Sequence, residues 1–215
     1  MSRPDPMKQV PKLYLMTPPV EDAAAFGREL AAALDAAEIA AVLLRLADAD
    51  EAVQIDRIKT LAPLLQRKDI ALLLDGHAGL VARSGADGAH LAGVDAFALQ
   101  VGTLKPERIA GCGGLATRHD AMTAAERGAD YVMFGDATNG ARPSFEAIVD
   151  RVTWWAEVFE VPCVALAASP DEAGALVAAG ADFIAVGDFI WSEPGGAVAA
   201  LAATAQRLAL PEAVA

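Results

Sequence analysis

Arg127-Gly128-Ala129-Asp130-Tyr131-Val132-Met133-Phe134-Gly135-Asp136 is the stretch whose pattern the rest of the chain repeats. A glycine that follows an alanine-rich helical run can take the left-handed conformation that ends a helix. The apolar run Tyr131 to Phe134 is short enough for a buried strand, and Gly135-Asp136 closes it with a turn. The wording returns at Gly85-Ala86-Asp87, which leads into Ala89-His90-Leu91, and at Gly180-Ala181-Asp182, which leads into Phe183-Ile184-Ala185-Val186-Gly187-Asp188. One Gly-Ala-Asp is only a common helix-to-strand joint. Three in register with neighbouring strands imply a repeating βα architecture.

Outward from these joints, further strands read at Lys12–Met16, Ile39–Leu44, Ile70–Leu74, Ile109–Cys112 and Val161–Leu166. Helices are expected at 22–37, 50–66, 77–83, 117–127 (capped by Thr117), 144–159, 170–179 and 196–208. Val94-Asp95-Ala96 reads as a loop, with at most a short helix from Ala96 to Val101. The strands are apolar throughout rather than alternating, as parallel strands covered on both faces are. Strand and helix units in this number predict a compact, closed (β/α)8 barrel, one domain over residues 1–215. No GxGxxG opens a helix after the first strand, which counts against an open dinucleotide-binding sheet.

The composition narrows the setting. With 54% hydrophobic residues in 215, the chain can bury a sizeable core. No run of 18 apolar residues offers a membrane span, and Met1-Ser2-Arg3-Pro4-Asp5-Pro6 leads into a strand rather than an apolar signal region. A cytoplasmic protein is the simplest expectation. The net charge of −12 opposes nucleic acid and anionic lipid as partners, though not a small phosphorylated ligand in a locally positive pocket. Cys112 and Cys163 lack any metal-binding spacing and read as reduced, half-buried thiols, with a disulfide as the alternative.

Reactive groups in such barrels lie on the loops after the strands. Those positions hold Thr17, Arg45, Asp75, His77, His90, Asp95, Gly113, Gly114, Asp136, Arg142, Ala167, Ala168 and Asp188. An aspartate after a strand often caps the next helix. Four carboxylates converging on one mouth, however, would repel each other unless a cation or Arg45 offsets them.

Leu13-Tyr14-Leu15-Met16-Thr17, Ile70-Ala71-Leu72-Leu73-Leu74-Asp75, Ala86-Asp87-Gly88-Ala89-His90-Leu91 with Asp95 following, and Gly128-Ala129-Asp130-Tyr131-Val132 together resemble the thiamine-phosphate synthase family, in order along nearly the whole chain. The resemblance implies a Mg²⁺-dependent transferase that joins a hydroxymethylpyrimidine diphosphate to a thiazole phosphate and releases pyrophosphate; divergent relatives include a thiazole tautomerase. By the same resemblance Arg45 is the diphosphate contact, Asp95 matches one metal carboxylate and His90 is the histidine of the fourth strand, while the other metal carboxylate has moved to Asp75 or is gone. Chemical roles fall to Arg45, His90 and Asp136, and substrate contacts to Thr17, Arg45, Asp75, Gly114, Arg142, Ala167, Ala168 and Asp188.

Several of these positions depart from the family pattern. Ala47 replaces a lysine, Asp75-Gly76 replaces an Asn-Asp pair, and Gly114 stands for a serine. A Thr-x-Thr-Lys segment is missing, which leaves Arg142 as the nearby cation, while Ala167-Ala168 replace two glycines and Asp188 a phosphate-binding serine. Two anions about 4 Å apart at an effective dielectric near 20 repel by roughly 4 kcal/mol. The departures therefore predict an impaired family reaction. Alternatives are a repurposed relative, either a tautomerase-like enzyme or a binder of a metal or a cationic ring, and a non-catalytic binding protein. Trp154 and Trp155 sit about 100° apart on one helix, so one of them should be exposed enough to join a homo-oligomer contact.

Overall fold

The computed structural model describes residues 11–137 and 140–209; the opening Met1–Pro6 lies outside them. Its strands are β1 (Lys12–Met16), β2 (Ile39–Leu44), β3 (Ala71–Asp75), β4 (Gly88–Ala92), β5 (Ile109–Gly113), β6 (Tyr131–Phe134), β7 (Cys163–Leu166) and β8 (Phe183–Val186). They pair in parallel in chain order and close β8 onto β1, the expected eight-stranded barrel. The outer ring comprises α1 (Ala23–Leu34), α2 (Glu51–Gln66), α3 (Ala78–Ser84), α4 (Val94–Leu104), α5 (Arg118–Glu126), α6 (Phe145–Val158), α7 (Pro170–Ala178), α8 (Asp188–Trp191) and α9 (Ala197–Ala209).

The Gly-Ala-Asp joints lock strand register. Gly85, Gly128 and Gly180 have φ of 83°, 92° and 98°, a region that glycine enters without steric cost. The aspartate then bridges to the neighbouring strand. Asp87, Asp130 and Asp182 each use Oδ2 to accept a backbone N–H at 2.8 Å, from Leu72, Ala110 and Cys163 respectively. Their own N–H groups return bonds to the carbonyls of the same three residues at 2.8, 2.9 and 3.1 Å. The strand pairs β3–β4, β5–β6 and β7–β8 are thus clamped at the N-terminal end of the barrel.

Strand residues alternate between two buried layers, which explains their unbroken apolar sequences. Leu13, Leu15, Leu72, Leu74, Val132 and Phe134 pack against the helices. Tyr14, Leu43, Leu73, Tyr131, Met133 and Val164 fill the barrel interior. Gly111 makes room there, because a Cβ would run into the Tyr131 ring.

Two elements differ from the sequence reading. Val94-Asp95-Ala96 is the first turn of an 11-residue helix, not a loop; Phe97 and Leu104, two turns apart, anchor its buried side. Sparse polar residues on the other face had hidden that amphipathic spacing. After β8 comes the short α8, held by buried Ile190 and by the Trp191 indole N–H, which donates to the Met16 carbonyl at 2.7 Å. On α6, Trp155 is buried, and the Trp154 ring is covered by Phe159 and by the Arg118 guanidinium 4.7 Å above it. Of the two, Trp154 is the one that stays partly exposed. Cys112 and Cys163 are both free thiols and fully buried, and burial pushes each up to about 12.

Candidate active site

The C-terminal ends of the strands gather the expected polar residues at one mouth. Asp75 ends β3, Asp95 sits in the first turn of α4, Asp136 follows β6 and Asp188 opens α8. Arg45 follows β2 and is held by Thr17. Its backbone N–H donates to Thr17 Oγ1 at 3.0 Å and its Nε to the Thr17 carbonyl. Thr17 is itself fully buried, and its hydroxyl oxygen is engaged by the Arg45 N–H. The guanidinium then reaches Asp188, Nη2 donating to Oδ1 at 2.6 Å. That aspartate side chain is 86% exposed, so its charge is screened and the pair adds little stability.

A second carboxylate lies in the turn after β7. Glu172 in the first turn of α7 accepts the Ala168 N–H at 2.7 Å. Arg142 clamps the same carboxylate through both terminal nitrogens, at 3.2 and 2.6 Å, and donates to the Leu166 carbonyl at 3.0 Å. Ala167 is buried and Ala168 exposed. Glu172 was not legible as a site residue, because an acidic residue at that helical position usually just serves the helix terminus. A groove of about 410 Å³, lined by Ala168, Ser169, Pro170, Phe189 and Glu193 among others, runs along the outer flank of the β7 and β8 turns. Apart from Ala168 it touches none of the polar mouth residues.

Beneath the mouth is a buried polar chain. Tyr14 Oη lies 2.8 Å from Tyr131 Oη, and Tyr131 Oη lies 3.1 Å from His90 Nδ1. His90 Nε2 is 3.8 Å from Asp136 Oδ2, which also accepts the Gly114 N–H. His90 and Asp136 lie over Gly113, where a Cβ would overlap the carboxylate and come within 2.5 Å of His90 Nε2. Burial raises the ionisation of both tyrosines well above the ordinary phenol range, and Asp75 and Asp136 raise it further, so both hydroxyls stay protonated. The tyrosines read in sequence as ordinary strand residues; only the register, which faces Tyr131 toward the glycine at 111, reveals their role.

Residues 13–190 match the family described as thiamine monophosphate synthase. The chain belongs to that family. The thiamine-phosphate synthase of Rhodospirillum centenum is 43% identical over 195 residues, covering 89% of this chain and 94% of the relative. That of Hyphomonas neptunium is 34% identical over 202 residues, covering 89% and 91%. Among solved structures, thiamine phosphate pyrophosphorylase from Pyrococcus furiosus superposes with a TM-score of 0.74 over 94% of this chain and 98% of that one. At 20% identity this shows the shared barrel alone. A 3-hexulose-6-phosphate synthase, 12% identical, shares the barrel too, with a TM-score of 0.69 over 91% of this chain and 99% of its own.

Asp75 and Asp95 are hard oxygen donors of the kind that suits Mg²⁺, an ion commonly held by one or two carboxylates completed by substrate phosphates. Among the described residues no three His, Cys, Asp or Glu side chains come together as a metal cluster. The carboxylates of the acidic mouth stand on separate elements around the rim.

Proposed function

We propose that this protein is a thiamine-phosphate synthase-type transferase that couples the family's two substrates slowly, because its anion-binding groups are engaged by its own carboxylates. The relatives' names support the reaction class. The observation that carries the slow rate is the pairing at the mouth. Asp188 takes Arg45, the best candidate for a diphosphate contact, and Glu172 takes both the Ala168 N–H and Arg142. A substrate phosphate must displace a carboxylate at each place before it gains a hydrogen bond. Asp75 and Asp95 would hold Mg²⁺ together with substrate phosphate oxygens, where the ion would offset developing negative charge on the leaving pyrophosphate. We place the reaction in the cytoplasm, as the sequence led us to expect.

The acidic mouth supports a second reading, a binder or tautomerase-like enzyme for a cationic, non-phosphorylated ring, since Asp75, Asp95, Asp136 and Asp188 all stand at one end. A coupling assay with purified pyrimidine diphosphate, thiazole phosphate and Mg²⁺ tests the proposal. Turnover well under the ordinary enzymic range of about 1–10³ per second supports it, and turnover inside that range shows that the internal pairs do not obstruct the reaction. Complete absence of product, with tight binding of an unphosphorylated cationic ring, favours the second reading.

A further inference from the structure

The hydrogen bonds inside the barrel determine where the proton of His90 sits. With the imidazole neutral, two phenolic hydrogens and one ring hydrogen are shared among Tyr14, Tyr131 and His90. Tyr14 is buried, and among the described residues Tyr131 is the partner of its hydroxyl. If His90 Nδ1 were the donor, only one of the two phenolic hydrogens could be used between Tyr14 and Tyr131, and the other would be left buried with no acceptor among the described residues. A stranded buried hydroxyl is costly. If Tyr14 donates to Tyr131, and Tyr131 to Nδ1, both phenolic hydrogens have an acceptor. The other side of the ring argues the same way. Nε2 lies 3.8 Å from Asp136 Oδ2, where an N–H is attracted to the carboxylate and a lone pair is repelled.

We propose that Tyr14 and Tyr131 fix His90 as the Nε2–H tautomer, so that the barrel interior turns an N–H toward Asp136, whose carboxylate stands at the mouth. Of these groups Asp136 has the reach, with its side chain 16% exposed against 4% for His90. Its Oδ2 is taken by the Gly114 N–H and faced by His90, whereas Oδ1 accepts no hydrogen bond among the described residues. The geometry leaves Oδ1 for a donor on the ligand, an amino or ring N–H group. Asp136 is then the group that meets the ligand, and Tyr14, Tyr131 and His90 are positioning residues. This holds whichever reaction the mouth supports.

Long-range ¹⁵N–¹H correlation spectra of histidine-labelled protein at pH 8, where an unperturbed imidazole is neutral, read the tautomer directly. A His90→Gln variant assigns the signals among the three histidines. The unmodified protein should show His90 with Nε2 protonated and Nδ1 bare. Tyr14→Phe should keep that pattern, because the Tyr131 hydrogen still has Nδ1 as its acceptor. Tyr131→Phe should move the ring toward a mixture of tautomers, because Nδ1 loses its donor. An Nδ1–H signal in the unmodified protein or in Tyr14→Phe overturns the proposal, as does a Tyr131→Phe spectrum identical to the parent's. Should Tyr131→Phe fail to fold, the first two spectra still decide.

Discussion

Removing the aspartate clamps one at a time should expose how the barrel keeps its register. Leu72, Ala110 and Cys163 are all fully buried, and each gives its N–H to the aspartate of a Gly-Ala-Asp joint at 2.8 Å. Alanine at Asp87, Asp130 or Asp182 leaves that N–H inside the protein with no acceptor, at about 1–3 kcal/mol per site. For a chain of this length 1 kcal/mol moves Tm by about 2–4 °C, so each variant should melt roughly 2–12 °C lower. The clamps sit on three separate strand pairs and should add, reaching about 3–9 kcal/mol when all are removed. That is a large share of the roughly 5–15 kcal/mol by which such domains are stable. Asparagine keeps an oxygen in place and should recover much of the loss. Urea titration gives the answer through the midpoint at unchanged slope. Alanine variants within about 0.5 kcal/mol of the parent, the ordinary range for surface changes, would refute the clamp, as would asparagine as damaging as alanine.

Other outcomes follow from the same geometry. Both buried thiols are pushed from an ordinary 9.0 up to about 12, so the native state holds more protons than the unfolded one between those values. Their contribution is complete below about pH 9 and is lost as pH rises toward about 12, so urea midpoints should fall across that window; flat midpoints contradict the burial. Native protein should also resist thiol reagents at neutral pH until it unfolds. Gly113→Ala should displace His90 and Asp136 and reduce activity more than stability, checked by turnover beside a melting curve, since its Cβ would press on both side chains. Arg45→Ala should abolish whatever coupling the protein retains, and a turnover assay showing it intact would remove Arg45 from the site.

The sequence disclosed the barrel better than the site. Strand limits at β1, β2 and β6 agree residue for residue, because short apolar runs between glycine joints and capping residues leave little freedom. The meaning of the aspartates in those joints was hidden, since their partners lie on neighbouring strands 15 to 20 residues away in sequence. At the mouth, Arg45, Asp136 and Asp188 could be placed from strand ends alone. Which charge pairs with which depends on loop geometry, so the Asp188–Arg45 and Glu172–Arg142 pairs were not readable. Tyr14 and Tyr131 looked like core residues and are core residues; their hydroxyls acquire a role only when the barrel closes and brings residues 117 positions apart within 2.8 Å.

The central claim, that internal carboxylates occupy the phosphate positions, is tested most directly by calorimetric titration of a thiazole phosphate into the parent and into an Asp188→Ser, Glu172→Gln double variant. For Asp188, whose side chain is 86% exposed, repulsion in water about 4 Å from a phosphate charge is about 1 kcal/mol, roughly a fivefold change in Kd. The parent should bind weakly and the double variant at least about fivefold more tightly, with the gain shrinking as salt is added. Tight binding by the parent that is lost in the double variant would contradict the claim, and would mean that Asp188 and Glu172 hold the ligand rather than exclude it.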